Sequence, residues 1–387
     1  MNVSKTHLLL FVLALGLLGG VALVSGIVPV RASDGHWAIT RWFLDFAKKR
    51  SVATHAIGTE VPDLDDPRLV LIGAGHYETG CRYCHGTPGI RMPRVTGEST
   101  PHPPPLYASA QTYAPAELFE IVAYGIKFTG MPAWPSPQRA DEVWAMVAFL
   151  QVFGALEYDE YQAMVFGGAE RSSRAPFVVR FRCARCHGED GLGVGEDAFP
   201  RLAGQSEAYL VDALRAYARG QRHSGLMEPL AAELSDADLV RAAAWYAAQP
   251  LPALPLEDTP DTDTTAPPSD ATALPRGDAP GSGASAPSRD DASLLPAERL
   301  ARGAAIATHG VPDRRIPPCQ ECHDGTARPE YPRLHGQPAP YLAQQLRLWY
   351  EGRRGGGRYA EVMQVVAAHP LEPDEIAAVA AFYASAD

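Results

Sequence analysis

Cys183-Ala184-Arg185-Cys186-His187 decides how this chain is read. Two thiols three residues apart, followed at once by an imidazole, form C-x-x-C-H, the attachment signature of a c-type haem. The thiols add to the two porphyrin vinyl groups as thioethers, and the histidine is then held against the iron as proximal ligand. The pattern recurs as Cys81-Arg82-Tyr83-Cys84-His85 and as Cys319-Gln320-Glu321-Cys322-His323, and the motifs together use all 6 cysteines. A structural zinc site would close with a second cysteine pair or spaced histidines nearby, and these pairs stand far apart. A disulfide scaffold does not suit a long, cysteine-poor chain whose pairs would close very small loops. The expected cofactors are three covalently bound haem c groups, each bringing an iron.

Before the first motif, Leu8 to Val30 is an apolar run without a charge, preceded by Lys5 and followed by Arg31. It is long enough to span a bilayer and long for the core of a cleaved signal. Residues 1–33 are therefore expected to be a membrane anchor or signal, with the anchor favoured. Residues 34–60 form an amphipathic juxtamembrane segment with Trp37, Trp42, Phe43 and Phe46 ahead of Lys48, Lys49 and Arg50. It suits either an interfacial helix or a helix packed on the first domain. His55 and His76 are expected at the surface or at caps.

Three units follow. The first, 61–167, has a helix ending near Gly80, a Pro-rich loop with Pro101 and Pro103 to Pro105, and a helix from Pro115 to Tyr124. A last helix carries Val143, Trp144, Val147, Phe149 and Leu150 at helical spacing. The second, 168–251, has a helix from Ser206 to Gly220 and a final one capped by Ser235. Residues 252–293 hold eight prolines, eight acidic residues and two arginines and read as a disordered linker. Such a coil would span on the order of 35 Å, a reach that lets the third unit search for partners or dock on its siblings, with the mobile shuttle favoured. That unit, 294–387, repeats the second: Tyr331-Pro332-Arg333-Leu334-His335-Gly336-Gln337 matches Phe199-Pro200-Arg201-Leu202-Ala203-Gly204-Gln205, and Arg354 matches Arg222.

A haem that only carries electrons needs a second axial ligand, and methionine opposite histidine is a common choice. Met131, Met227 and Met363 each lie in the stretch between the last two helices of their unit, and Met146 reads as core. The rivals are His102, His223, His335 and His369.

At these residues the chain resembles the class I cytochrome c family, over about residues 61–250 and 294–387. The second and third units are similar to the domains of diheme periplasmic cytochromes through Pro-Arg-Leu-x-Gly-Gln. The first is similar to monohaem units through Gly125-Ile126-Lys127-Phe128-Thr129-Gly130-Met131-Pro132-Ala133-Trp134. The resemblance implies an all-α fold: three cytochrome c-like haem domains behind an N-terminal transmembrane helix. It implies Cys81, Cys84, Cys183, Cys186, Cys319 and Cys322 as thioether positions. It also implies iron ligation by His85 with Met131, His187 with Met227, and His323 with Met363. The Pro-rich insert of the first unit and the Gly355–Gly357 run are departures.

The expectation is a membrane-tethered triheme electron carrier rather than an enzyme. It would sit in the bacterial cytoplasmic membrane, crossing once, with its haem domains facing the periplasm. Its partners would be redox proteins of a respiratory chain: an oxidase, a dehydrogenase or a quinol-oxidising complex. Two alternatives stay open, an electron-acceptor subunit of a membrane-bound dehydrogenase and a haem enzyme or gas sensor with one open iron. A net charge of −11 argues against nucleic acid.

Overall fold

A computed structural model describes residues 5–28, 30–31, 33–167, 174–195, 197–251 and 296–385. The expected linker, 252–293, and the first residues of the second unit lie outside them. The described residues are helical, with isolated bridges at Thr87–Ile90 and Val311–Ile316 and no strand. They divide into two compact bodies, one of residues 1–168 with 224–226, the other of 169–223 with 227–387.

In the first body, α1 (Lys5–Val24) is apolar along its length and buries none of its residues. Its 20 residues rise about 30 Å, the thickness of a bilayer's hydrocarbon core. Helix α2 (Ala38–His55) follows. Helix α3 (Pro67–His76) is capped by Asp66, whose side chain accepts from Arg68 N, and opens with proline. Helix α4 (Pro115–Tyr124) also opens with proline, at a position where the missing N–H costs nothing. Helix α5 (Ala140–Phe153) buries Val143, Met146, Val147, Phe149, Leu150 and Phe153. Helix α6 (Tyr158–Phe166) was not legible as an element; Tyr161 and Val165 dock it on the same core. At Gly73 an added Cβ would stand 2.1 Å from the Ala145 carbonyl oxygen, so only glycine lets α3 and α5 cross backbone to backbone.

The second body carries two cores. One gathers Ala175, Val178, Val179, Leu210, Ala242, Ala243 and Tyr246 around α7 (Glu207–Ala218) and α8 (Asp236–Ala247). Ser206 caps α7 by accepting from Tyr209 N, and Ser235 caps α8 by accepting from Asp238 N. The other core surrounds α9 (Pro296–His309), α10 (Ala339–Tyr350), α11 (Ala360–Ala367) and α12 (Pro373–Ser385). Here Gly303 repeats the part of Gly73, with an added Cβ 2.1 Å from the Ala378 carbonyl oxygen. An N-terminal helix crossing the last helix at a glycine is thus built twice.

These two repeats are pinned together by a reciprocal set of hydrogen bonds. Gln205 Nε2 donates to the Arg333 carbonyl at 2.8 Å and Gln205 Oε1 accepts from Arg333 N at 3.1 Å. Gln337 does the same to Arg201, at 2.7 and 3.1 Å. Each side-chain amide pairs with a peptide of the other repeat as a strand would, the signature of a local two-fold. The third unit therefore stands docked on the second, the other of the two outcomes that the linker's reach allowed, and not as a mobile shuttle.

Candidate functional site

The first motif begins where α3 widens into a π-helical turn, Tyr77–Cys81, and closes as a single helical turn, Arg82–His85. The second repeats this as Val179–Cys183 and Ala184–His187. One turn puts both sulfurs and the imidazole of each motif on a common face. Gly86 (φ +70) and Gly188 (φ +71) then turn the chain away. The third motif, Gln320–His323, has the same single turn but is reached through a 3₁₀ turn, Pro312–Arg314.

The three motif histidines are held alike. Nδ1 of His85 donates to the Pro104 carbonyl at 2.8 Å, Nδ1 of His187 to Pro200 at 3.1 Å, and Nδ1 of His323 to Pro332 at 2.9 Å. A carbonyl only accepts, so the proton is on Nδ1 and the lone pair is left on Nε2. That is the tautomer an iron ligand needs, with its ring orientation fixed by the second hydrogen bond. Burial holds all three imidazoles below the ordinary histidine range, against the raising effect of those carbonyls. They are neutral near pH 7.

The thiols tell the same story. Burial pushes Cys81 and Cys183 up to about 12, and Cys186 and Cys319 up to about 11. A redox-active C-x-x-C or a thiolate metal ligand calls for the opposite shift. The cysteines form no disulfide. Among the described residues no three His, Cys, Asp or Glu side chains cluster as a metal site. Cys81, Cys183 and Cys319 each pack against the core of their own unit, and such thiols beside an Nε2 lone pair fit covalent haem.

Met131 lies in the loop after α4, with its N–H bonded to Thr129 Oγ1 at 3.1 Å. Met227 opens a short helix, Met227–Ala232, and Met363 sits within α11 rather than in a glycine loop. The glycines come before it: an added Cβ on Gly356 would stand 2.8 Å from the Arg222 nitrogen. They let this stretch touch the second repeat. Met146 is core, as expected, at 1% exposure. Of the rival histidines, His102 is exposed. His223 faces Glu228 Oε1 at 3.3 Å. His335 stands edge-on to Tyr383, with ring centroids 4.9 Å apart.

His55 is exposed, as expected. His76 is not at the surface: it is buried against the edge of Trp134, with centroids 5.1 Å apart, and desolvation holds it at about 3.

Sequence reading missed the part played by the prolines. In the repeats, Pro200 and Pro332 open the Pro-Arg-Leu run, so one short run both orients the histidine and receives the partner repeat's glutamine. In the first unit the Pro-rich insert supplies the same carbonyl. The recurrence of Pro-Arg-Leu-x-Gly-Gln was the available signal.

The chain matches the family model of subunit III of cbb3-type cytochrome c oxidase at residues 69–150 and 177–245. It is 30% identical over 245 residues to the thiosulfate dehydrogenase electron acceptor of Stutzerimonas stutzeri, covering 62% of this chain and 92% of that protein. It is also 30% identical to cytochrome c4 of Pseudomonas aeruginosa, over 52% of this chain and 81% of that one. A solved cytochrome c4 of Acidithiobacillus ferrooxidans aligns with a TM-score of 0.37 and 27% identity, over 52% of this chain and 98% of that one.

Proposed function

The chain belongs to the cytochrome c family and carries electrons, and from that premise we propose that it is a membrane-tethered carrier with three haem c groups. Bound haem supplies a reversible ferric–ferrous couple. The chain's residues do the rest. Cys81 and Cys84, Cys183 and Cys186, and Cys319 and Cys322 attach the groups. His85, His187 and His323 offer Nε2 on one side, and Met131, Met227 and Met363 are proposed on the other. The observation that carries this is the threefold recurrence of the Nδ1–proline carbonyl bond beside a pair of unlinked cysteines.

Two features of the first body support the tether. Helix α1 is apolar and wholly unburied. Helix α2 holds three aromatics in the open, Trp42 (62%), Phe43 (57%) and Phe46 (53%), among the exposed cations Arg41, Lys49 and Arg50. Exposed aromatics beside cations are what a helix lying in a membrane interface presents.

Pyridine haemochrome quantitation tests the reading, with three haems per chain expected. Replacing the cysteine pair of any one unit with alanine should remove one haem. A parent chain with fewer than three would overturn it. Replacing Met131, Met227 or Met363 in turn should each abolish one share of the sulfur-to-iron charge-transfer band of the oxidised protein.

A second reading, an electron-acceptor subunit of a dehydrogenase, is favoured by the match across 92% of the Stutzerimonas relative. Reduction of this chain by a thiosulfate-oxidising dehydrogenase, faster than by an unrelated donor, would support it.

A further inference from the structure

Helix α2 packs on α4 and leaves one stripe of its own surface open. Ile39, Trp42, Phe43 and Phe46 recur at the three- and four-residue spacing of a single helix face, and Lys49 and Arg50 continue the same stripe. All six are exposed, Ile39 at 67%. Trp42 and Phe46 stack with ring centroids 5.8 Å apart, so the aromatics form one slab. Helix α1, which buries none of its residues, does not cover it.

The charge around the stripe runs against that of the chain. From Arg31 to Thr59 stand five cations, Arg31, Arg41, Lys48, Lys49 and Arg50, against two carboxylates, Asp34 and Asp45, in a chain of net charge −11. Asp34 is taken by Arg31, and Asp45 by Lys48 and Lys49, so the surplus is positive. A contiguous apolar slab rimmed by charge marks an interaction surface. A second copy of the helix would cover the slab but set like charges against each other. An anionic bilayer surface answers both features: aromatic rings seat at headgroup level, and each cation near the phosphates adds attraction. Helix α1 ends at Val24, a short connection before α2 begins at Ala38, and such a link keeps lipid at high effective concentration around the stripe.

We propose that α2 is a second, separate membrane attachment that binds anionic phospholipid. Ile39, Trp42, Phe43 and Phe46 enter the boundary between headgroups and acyl chains, and Lys49 and Arg50 lie on the phosphates. The proposal deepens the tethered reading above and rests on it. Helix α1 holds the chain at the membrane, and α2 sets how the chain faces it. Because α2 packs on α4, a seated α2 holds the first unit in one orientation to the bilayer. This attachment weakens with salt, because its charges sit at a solvated surface; a spanning helix does not.

The test is hydroxyl-radical footprinting of the full chain in lipid nanodiscs, with labelling of each residue read by mass spectrometry. In discs of phosphatidylglycerol and phosphatidylcholine in equal parts, labelling of Trp42, Phe43 and Phe46 should fall about tenfold against discs of phosphatidylcholine alone. Raised salt should return it. Lys49→Gln with Arg50→Gln, both at exposed positions, should bring labelling in the mixed discs back to the phosphatidylcholine rate. Phe149 and Tyr161, buried in the first core, should label equally weakly throughout and report an intact fold. Equal labelling of the stripe in the two kinds of disc would overturn the proposal. Protection that follows chain concentration at fixed lipid would assign the stripe to a second copy and overturn it as well. Release of the parent chain from membranes by alkaline carbonate would instead overturn the tether, which α1 alone secures against that treatment.

Discussion

In the second repeat the Tyr246 hydroxyl donates to the Gly188 carbonyl at 2.8 Å. In the third, Tyr383 is at the same place in the last helix and just as buried, and its hydroxyl has no partner. The difference lies at the residue after the motif. Gly188 has φ +71, open to glycine, whereas Asp324 stays helical at φ −74 and takes the carbonyl elsewhere. What the repeats share is what touches a histidine or the opposite repeat: the proline carbonyls, the glutamines, the arginines. What they vary is support internal to one core.

The shared glutamines should matter most. Gln205→Ala with Gln337→Ala removes four hydrogen bonds and leaves peptide groups of Arg201 and Arg333 unmatched. At roughly 1 kcal/mol each, the docked pair should lose about 4 kcal/mol. Calorimetry should resolve separate unfolding of the two repeats where the parent unfolds them together. A single unchanged transition would mean that other surfaces hold the pair.

The glycines of the third repeat sharpen the point. Gly352 and Gly356 both have positive φ, +65 and +75, but nothing lies within 4 Å of a Cβ on Gly352, while one on Gly356 meets the backbone of Gln221 and Arg222. Gly352→Ala should cost about 1 kcal/mol, the backbone term alone. Gly356→Ala adds a collision with the other repeat and should cost about 2–3 kcal/mol. Urea unfolding followed by tryptophan fluorescence would separate them; equal costs would place the Gly355–Gly357 run outside the docking surface.

Tyr246→Phe and Tyr383→Phe test the difference with which the two repeats part. The first loses a buried hydrogen bond and should cost about 1–1.5 kcal/mol, the second close to nothing. Equal losses in the same urea assay would mean that Tyr383 has found an acceptor.

Much of this architecture was legible. Helix starts at Pro115, Ser206 and Ser235 lie at or next to the observed ones, because prolines and capping hydroxyls act locally. The C-x-x-C-H runs were legible because covalent chemistry needs a fixed spacing. Side chains acting at a distance were not. The burial of His76 depends on where Trp134 folds back, and the use of Gln205 and Gln337 depends on a second repeat arriving more than a hundred residues later. The Pro-rich insert looked like a departure because only the fold shows Pro104 doing for His85 what Pro200 does for His187.

The smallest expected effect separates the two last helices by pH. Burial alone would raise Glu375, but hydrogen bonds from Arg314 and Arg302 and from its own Glu372 N outweigh it and hold the carboxyl below its ordinary value. Its counterpart region in α8 has Asp236 paired with Arg215 in the open. A carboxyl lowered in the folded state stabilises above its unfolded value, about 4.3 for glutamate, and that contribution disappears as pH falls through the folded value. Glu375→Gln should therefore destabilise the third repeat at pH 7 and flatten its loss of stability between about pH 5 and pH 3. Asp236→Asn should change little, because water and salt already screen an exposed pair. Thermal melts of both variants across that range would decide it: a parallel acid response in Glu375→Gln and parent would mean that Arg302 of α9 and Arg314 of the following 3₁₀ turn hold α12 through packing of their stems, with the charge incidental.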